Sequence, residues 1–98
     1  MGHYLIRYRP PRETFIDDIT DEERTVIEQH FVYLQKLMDE GKLVMAGRTD
    51  DAELGISVIC VETDEEASII MGNDPAVKAG IFRCEVKSFL LALLQKEA

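Results

Sequence analysis

Ile56-Ser57-Val58-Ile59-Cys60-Val61 is apolar at every position except Ser57. In an extended chain, successive side chains point to opposite sides, so this stretch offers apolar groups to both faces of a sheet. A strand covered on two sides belongs in the middle. Phe82-Arg83-Cys84-Glu85-Val86-Lys87 reads differently. Phe82, Cys84 and Val86 share one face and the charges share the other, which is the pattern of an edge strand with one wet side. Working outward, Gly55 opens the central strand, and residues 48–53 (Arg-Thr-Asp-Asp-Ala-Glu) form the hairpin loop before it. Residues 43–46 form the short strand that the loop connects. Residues 3–9 are rich in β-formers and end at Pro10-Pro11, which cannot donate to a ladder.

Two helices fit between these strands. Thr20 and Glu23 have capping-box spacing, and Val26, Ile27, His30, Phe31, Leu34, Leu37 and Met38 then recur on a helical stripe as far as Gly41. Such a helix is about 30 Å long, enough to cover a small sheet. Residues 12–19 read as a polar connection before it. Thr63 and Glu66 form a second capping box, followed by Ala67, Ile70 and Met71 on one stripe, with Asp74 next at the same spacing. Asp74-Pro75 suits the start of a single turn over 75–79 that ends at Gly80. The order β-α-β-β-α-β predicts an α+β, ferredoxin-like fold: a four-stranded antiparallel sheet in spatial order 4-1-3-2, with both helices on one face. The central strand is then apolar on an otherwise open face. That mismatch, and the apolar run at 89–94, predict a homodimer.

Ninety-eight residues make a single domain, 1–98. Eleven Lys and Arg against nineteen Asp and Glu give a net charge of −8, which argues against binding nucleic acid or an anionic membrane. No apolar run approaches the ~18 residues of a membrane span, and nothing marks the chain as secreted, so the cytoplasm is the default compartment. Cys60 and Cys84 lack metal-ligand spacing and read as reduced core residues. Met1-Gly2-His3 resembles a cloning remnant, and His3 is given no weight as a ligand. The acidic groups at 17–18, 21–23 and 64–66 read as solvated charges at helix starts. There is no phosphate-binding glycine loop, serine elbow or metal set, so no cofactor is expected.

His30 and Asp74 are the candidate site residues. His30 lies on the apolar stripe of the first helix and points toward the sheet. It is either a satisfied core histidine or a general acid–base group that exchanges protons near neutral pH. Asp74 is either a helix cap or the carboxylate that holds an imidazole in one tautomer. Because a carboxylate has two oxygens, both roles can coexist.

The stretch His30-x-x-x-Leu34-x-x-Leu37-x-Asp39-Glu40-Gly41-Lys42-Leu43-x-x-Ala46-Gly47 resembles the signature of the YCII-related domain family. Glu65-Glu66-Ala67, Asp74-Pro75, Ala79-Gly80 and Val86-Lys87 resemble the same family in the same order. The resemblance implies a ferredoxin-like fold that dimerises as an α+β barrel, with a His–Asp active-site pair carried here by His30 and Asp74. Members of known chemistry act on small ring compounds, among them a dehydrochlorinase. The family usually has Pro after the glycine at Gly47, where this chain has Arg48. That cation either binds an anionic group of a substrate or faces solvent.

Three functions follow. The first is a small enzyme using His30 for lyase-, isomerase- or hydrolase-type proton transfer on a small organic substrate. The second is a non-catalytic module that binds a small molecule. The third is a dimeric interaction domain. A concave site open at His30 and Asp74 favours the first two, and a packed, dry His30 favours the third.

Overall fold

In the computed structural model, which describes residues 1–95, the elements are set by their caps. Strand β1 (Gly2–Arg9) leads through the connection to a short helix α1 (Phe15–Asp18) and the long helix α2 (Asp21–Asp39). The Thr20 hydroxyl accepts from the Glu23 amide at 3.1 Å, and the Glu23 carboxylate accepts from the Thr20 amide at 2.9 Å. Two orphan amides of α2 are thus satisfied reciprocally. At the far end the chain leaves through Gly41 at φ 76°, a conformation that suits a residue without a Cβ.

Strands β2 (Leu43–Arg48) and β3 (Gly55–Val61) follow, then helices α3 (Asp64–Gly72) and α4 (Pro75–Lys78), and strand β4 (Arg83–Ser88). The antiparallel sheet has the order β2-β3-β1-β4, the arrangement expected, with β3 central and β4 at an edge. Tyr4, Ile6 and Tyr8 of β1 form one core with Leu34 and Leu37 of α2 and with Ala67 and Ile70 of α3, so both long helices cover the same face. The Tyr33 hydroxyl donates to the Ile70 carbonyl at 2.7 Å and ties α2 to α3.

Several local expectations need correction. Residues 12–19 are not a featureless connection: α1 buries Phe15 against Phe82, and Arg12 grips both Asp18 and Glu23 at 2.7 and 2.8 Å. A four-residue helix is too short to show a period. Phe31 and Met38 lie on the expected stripe of α2 but are exposed, because seven positions span a wider arc than the sheet covers, and Tyr33 packs at the border instead. Thr63 caps α3, but the Glu66 carboxylate reaches the amide of Glu62 rather than that of Thr63, so only half of the second capping box forms. The acidic clusters at the helix starts are exposed apart from the half-buried Glu23 and Glu66. Some of them also bind protein groups: Asp18 and Glu23 hold Arg12, and Asp64 accepts the Tyr4 hydroxyl at 2.6 Å. Gly2 and His3 pair in β1 with Val61 and Cys60. Cys60 and Cys84 are free and only half-buried. Cys60 stands opposite His3 on the open face of the sheet and Cys84 opposite Tyr8 on the helix side.

On the open face, Val58 is only 3% exposed, shielded by its cross-strand neighbours Leu5 and Met45, and Arg7 pairs with Glu85 beside them. Residues 89–95, after β4, have no regular structure. The Phe89 amide donates to the His3 carbonyl, while Leu90 and Leu93 are almost fully exposed. Among the described residues no helix is long and apolar enough to cross a membrane.

One irregularity matters for the site. The β2–β3 register shifts between Leu43 and Met45. An extra residue in one strand reverses the side on which every later side chain points. Leu43 faces the helices; after the bulge Ala46 and Arg48 do so too, opposite Ser57 and Gly55.

Candidate active site

Asp74 lies at the junction of α3 and α4, where the cap geometry fixes its carboxylate. Its Oδ1 accepts from the Ala76 amide at 2.9 Å, and Pro75 at the first helical position needs no such partner. Its Oδ2 lies 2.6 Å from Nδ1 of His30, in the middle of α2. The carboxylate is 1% exposed and the imidazole 13%. A buried carboxylate needs donors on both oxygens, and the backbone amide and the imidazole supply them. With Asp74 as acceptor, the ring proton is assigned to Nδ1, which leaves the lone pair of the neutral ring on Nε2.

Aromatic rings hold the imidazole in place. Tyr8 meets it edge-on at 5.2 Å between centroids and Phe82 at 5.4 Å. The Tyr8 hydroxyl donates to Ser57 Oγ at 2.9 Å, both buried. Burial raises the pKa of the Tyr8 hydroxyl, and the negative charge of Asp74 adds to the shift. Burial pushes the Cys84 thiol up to about 12, again with Asp74 contributing. Neither group is ionised near neutral pH, so Cys84 is no thiolate nucleophile.

On its other side His30 lines a cavity of about 470 Å³, within the range of small-molecule sites. Among the described residues Nε2 has no hydrogen-bond partner and is not sealed from solvent. The walls are apolar, with Phe15, Ile19, Ile27, Phe31 and Phe82 among them. The exposed Phe31 is therefore part of the site rather than of the core. The cavity reaches His30 but not Asp74, which sits sealed behind the ring.

Arg48 also lines the cavity, turned there by the bulge in β2. Its Nη1 donates to the carbonyls of Thr49 and Asp50 at 2.9 and 3.2 Å, which fixes the guanidinium at the rim. Arg24 of α2 lines the same cavity and was not anticipated. Its signal was present: Arg24 precedes Ile27, Phe31 and Leu34 by three, seven and ten residues, along one helical face. Tyr8 and Phe15 were also missed as site residues. Among the described residues, no group of three or more His, Cys, Asp or Glu side chains could hold a metal ion.

The family model described as the YCII-related domain matches residues 1–90. No curated protein matches the chain. Among solved structures, it is similar to a 5-chloro-2-hydroxyhydroquinone dehydrochlorinase from Burkholderia phenoliruptrix AC1100, solved as a complex with 2,5-dihydroxybenzoquinone. The two superpose with a TM-score of 0.67 at 22% identity, over 91% of this chain and 95% of the other. At that identity the likeness establishes a shared fold.

Proposed function

The chain belongs to the YCII-related domain family, and we propose that it is a small acid–base enzyme in which His30 moves a proton on a ring-sized organic substrate. One observation carries the proposal: His30 Nδ1 is held 2.6 Å from the buried Asp74 carboxylate while the ring lines a largely apolar cavity and Nε2 has no hydrogen-bond partner among the described residues. In this arrangement Nε2 takes a proton from the substrate, and the imidazolium that forms is stabilised by Asp74. In an isomerisation the same proton returns at another atom. In an elimination the C–H electron pair becomes a double bond, and the leaving group departs with its own pair. Each case is lyase- or isomerase-type chemistry that needs no cofactor. That the structurally similar protein is a dehydrochlorinase solved with a ring compound supports the class of substrate. Arg48 takes part in binding the substrate at the rim.

We also propose that the enzyme works as a cytoplasmic homodimer. The exposed Leu90 and Leu93 and the exposed Met45 on the open sheet face support the dimer, and the two free cysteines suit a reducing compartment.

The test is proton exchange. Hydroxylated and halogenated ring compounds that raise the melting temperature are incubated with the protein in D2O, and deuterium incorporation is followed by mass spectrometry. Wild type is expected to catalyse exchange or elimination. His30→Gln, whose amide nitrogen can still donate to Asp74 Oδ2, is expected to lose roughly 10²–10⁴-fold in rate while circular dichroism shows it folded. His30→Ala orphans a buried carboxylate and is expected to melt lower as well. Equal rates in wild type and His30→Gln would overturn the proposal.

A further inference from the structure

We infer that the cavity takes a ring-bearing carboxylate whose anion is held between Arg24 and Arg48; the inference rests on the cavity being the substrate site. It begins with charge. The chain has nineteen acidic and eleven basic residues, yet no Asp or Glu lines this cavity, and two arginines do. Asp74, the buried carboxylate beside this cavity, is screened from it by His30. In an acidic protein, a cavity lined by two arginines and no carboxylate is locally selective for anions.

The two arginines are also unspent. Arg12 is saturated by Asp18 and Glu23, and Arg7 pairs with Glu85. Arg24 makes no ion pair and no side-chain hydrogen bond among the described residues, although it opens onto an apolar wall. Arg48 uses only Nη1, and uses it on two carbonyls of its own loop. That contact fixes the guanidinium and leaves its other donors available. Planar guanidinium forks match the planar, two-oxygen geometry of a carboxylate. The rest of the wall, with Phe15, Phe31 and Phe82, suits an aromatic or alicyclic ring.

The spacing along α2 is consistent with one ligand touching both ends. Arg24 and His30 are six residues apart, roughly 9 Å along the helix axis. Six residues also turn the helix by about 120°, so the two side chains meet across the cavity they share rather than along one line, and a ring acid between them can touch both. Arg48 reaches the anion from the sheet because the β2 bulge turns it inward.

Benzoate and its neutral isostere benzamide test the inference by calorimetry, with the His30 and Phe82 resonances reporting where each binds. Benzoate is expected to bind about tenfold tighter than benzamide or better. Arg24→Gln and Arg48→Gln should each weaken benzoate roughly tenfold and leave benzamide unchanged, and Arg24→Lys should recover part of the loss. Equal affinities for the two ligands would overturn the inference. So would variants that weaken both ligands alike, or resonances that neither ligand moves. His30→Gln separates this inference from the acid–base proposal. If it leaves the benzoate preference intact and leaves deuterium exchange unimpaired, the anion site stands and the acid–base proposal fails. If exchange depends on His30 but no benzoate preference exists, the anion site alone fails.

Discussion

Asp74→Asn changes one atom, and its consequences follow from which oxygen does what. Oδ1 accepts from the Ala76 amide, so the asparagine must keep its carbonyl oxygen there; turning the amide over would set N–H against N–H and forfeit a cap worth about 1 kcal/mol. Its NH2 group is thereby aimed at Nδ1 of His30, where Oδ2 had been. A donor facing Nδ1 requires a lone pair on that nitrogen, so the ring proton moves to Nε2. The nitrogen at the cavity becomes a donor and can no longer act as a base. Stability changes little, because a charge-assisted hydrogen bond is exchanged for a neutral one at a cost of about 1 kcal/mol. Asp74→Ala differs: it loses the cap and leaves Nδ1 unpaired in a buried place, for roughly 2–4 kcal/mol. In a domain of this size, that lowers the melting temperature by about 10 °C or more. The assays are thermal melting, long-range ¹H–¹⁵N correlation of the imidazole, which identifies the protonated nitrogen, and the deuterium-exchange rate. Asp74→Asn is expected to fold, switch tautomer and lose about 10²–10⁴ in rate. An asparagine variant that keeps the proton on Nδ1 and exchanges at the wild-type rate would refute the reasoning.

Three further outcomes are expected. The Glu23 carboxyl is held down at about 2, chiefly by Arg12 and then by the Thr20 amide. A depressed folded-state pKa stabilises above the unfolded value near 4.3 and stops doing so as pH falls through the folded value. The melting-temperature gap between wild type and Glu23→Gln should therefore be full above about pH 5 and close between about pH 4 and 2; a gap that does not vary with pH would count against the Arg12–Glu23 pair. Cys84, pushed up to about 12, should resist iodoacetamide at pH 8 in the native protein and react once it is unfolded; native labelling at the rate of a free thiol, read by peptide mass spectrometry, would contradict its placement. Light scattering at micromolar concentration should give the mass of two chains, and Leu90→Ser with Leu93→Ser should shift it toward one; a wild-type monomer would remove the dimer.

How much of this was legible in the sequence depended on periodicity. The sheet order followed from two strands, one apolar on both faces and one alternating, and those patterns survive any detail of packing. Periodicity placed His30 on the sheet-facing stripe, and the Asp-Pro pair marked Asp74 as a cap. On spacing alone, however, the two read equally as a core histidine and a helix cap; their reading as a pair came only from the resemblance to the family. The direction of Arg48 was not legible. It depends on a register shift between Leu43 and Met45, and no residue type in that strand announces a bulge. Arg24 stood on the stripe with Ile27 and Leu34, but a charged residue on an apolar face is easily read as the start of the solvated side. Phe15 was hidden by the shortness of α1. Phe31 was misplaced because the stripe counts apolar residues and cannot tell a core wall from a cavity wall.

The most direct test of the central claim is a structure of the complex with a ring ligand that the protein turns over or exchanges. The atom that gives up the proton should lie within about 3.2 Å of His30 Nε2, with Nδ1 still on Asp74 and the ring of the ligand among Phe15, Phe31 and Phe82. A ligand bound on the open face of the sheet, or one in the cavity with Nε2 turned away from it, would contradict the account.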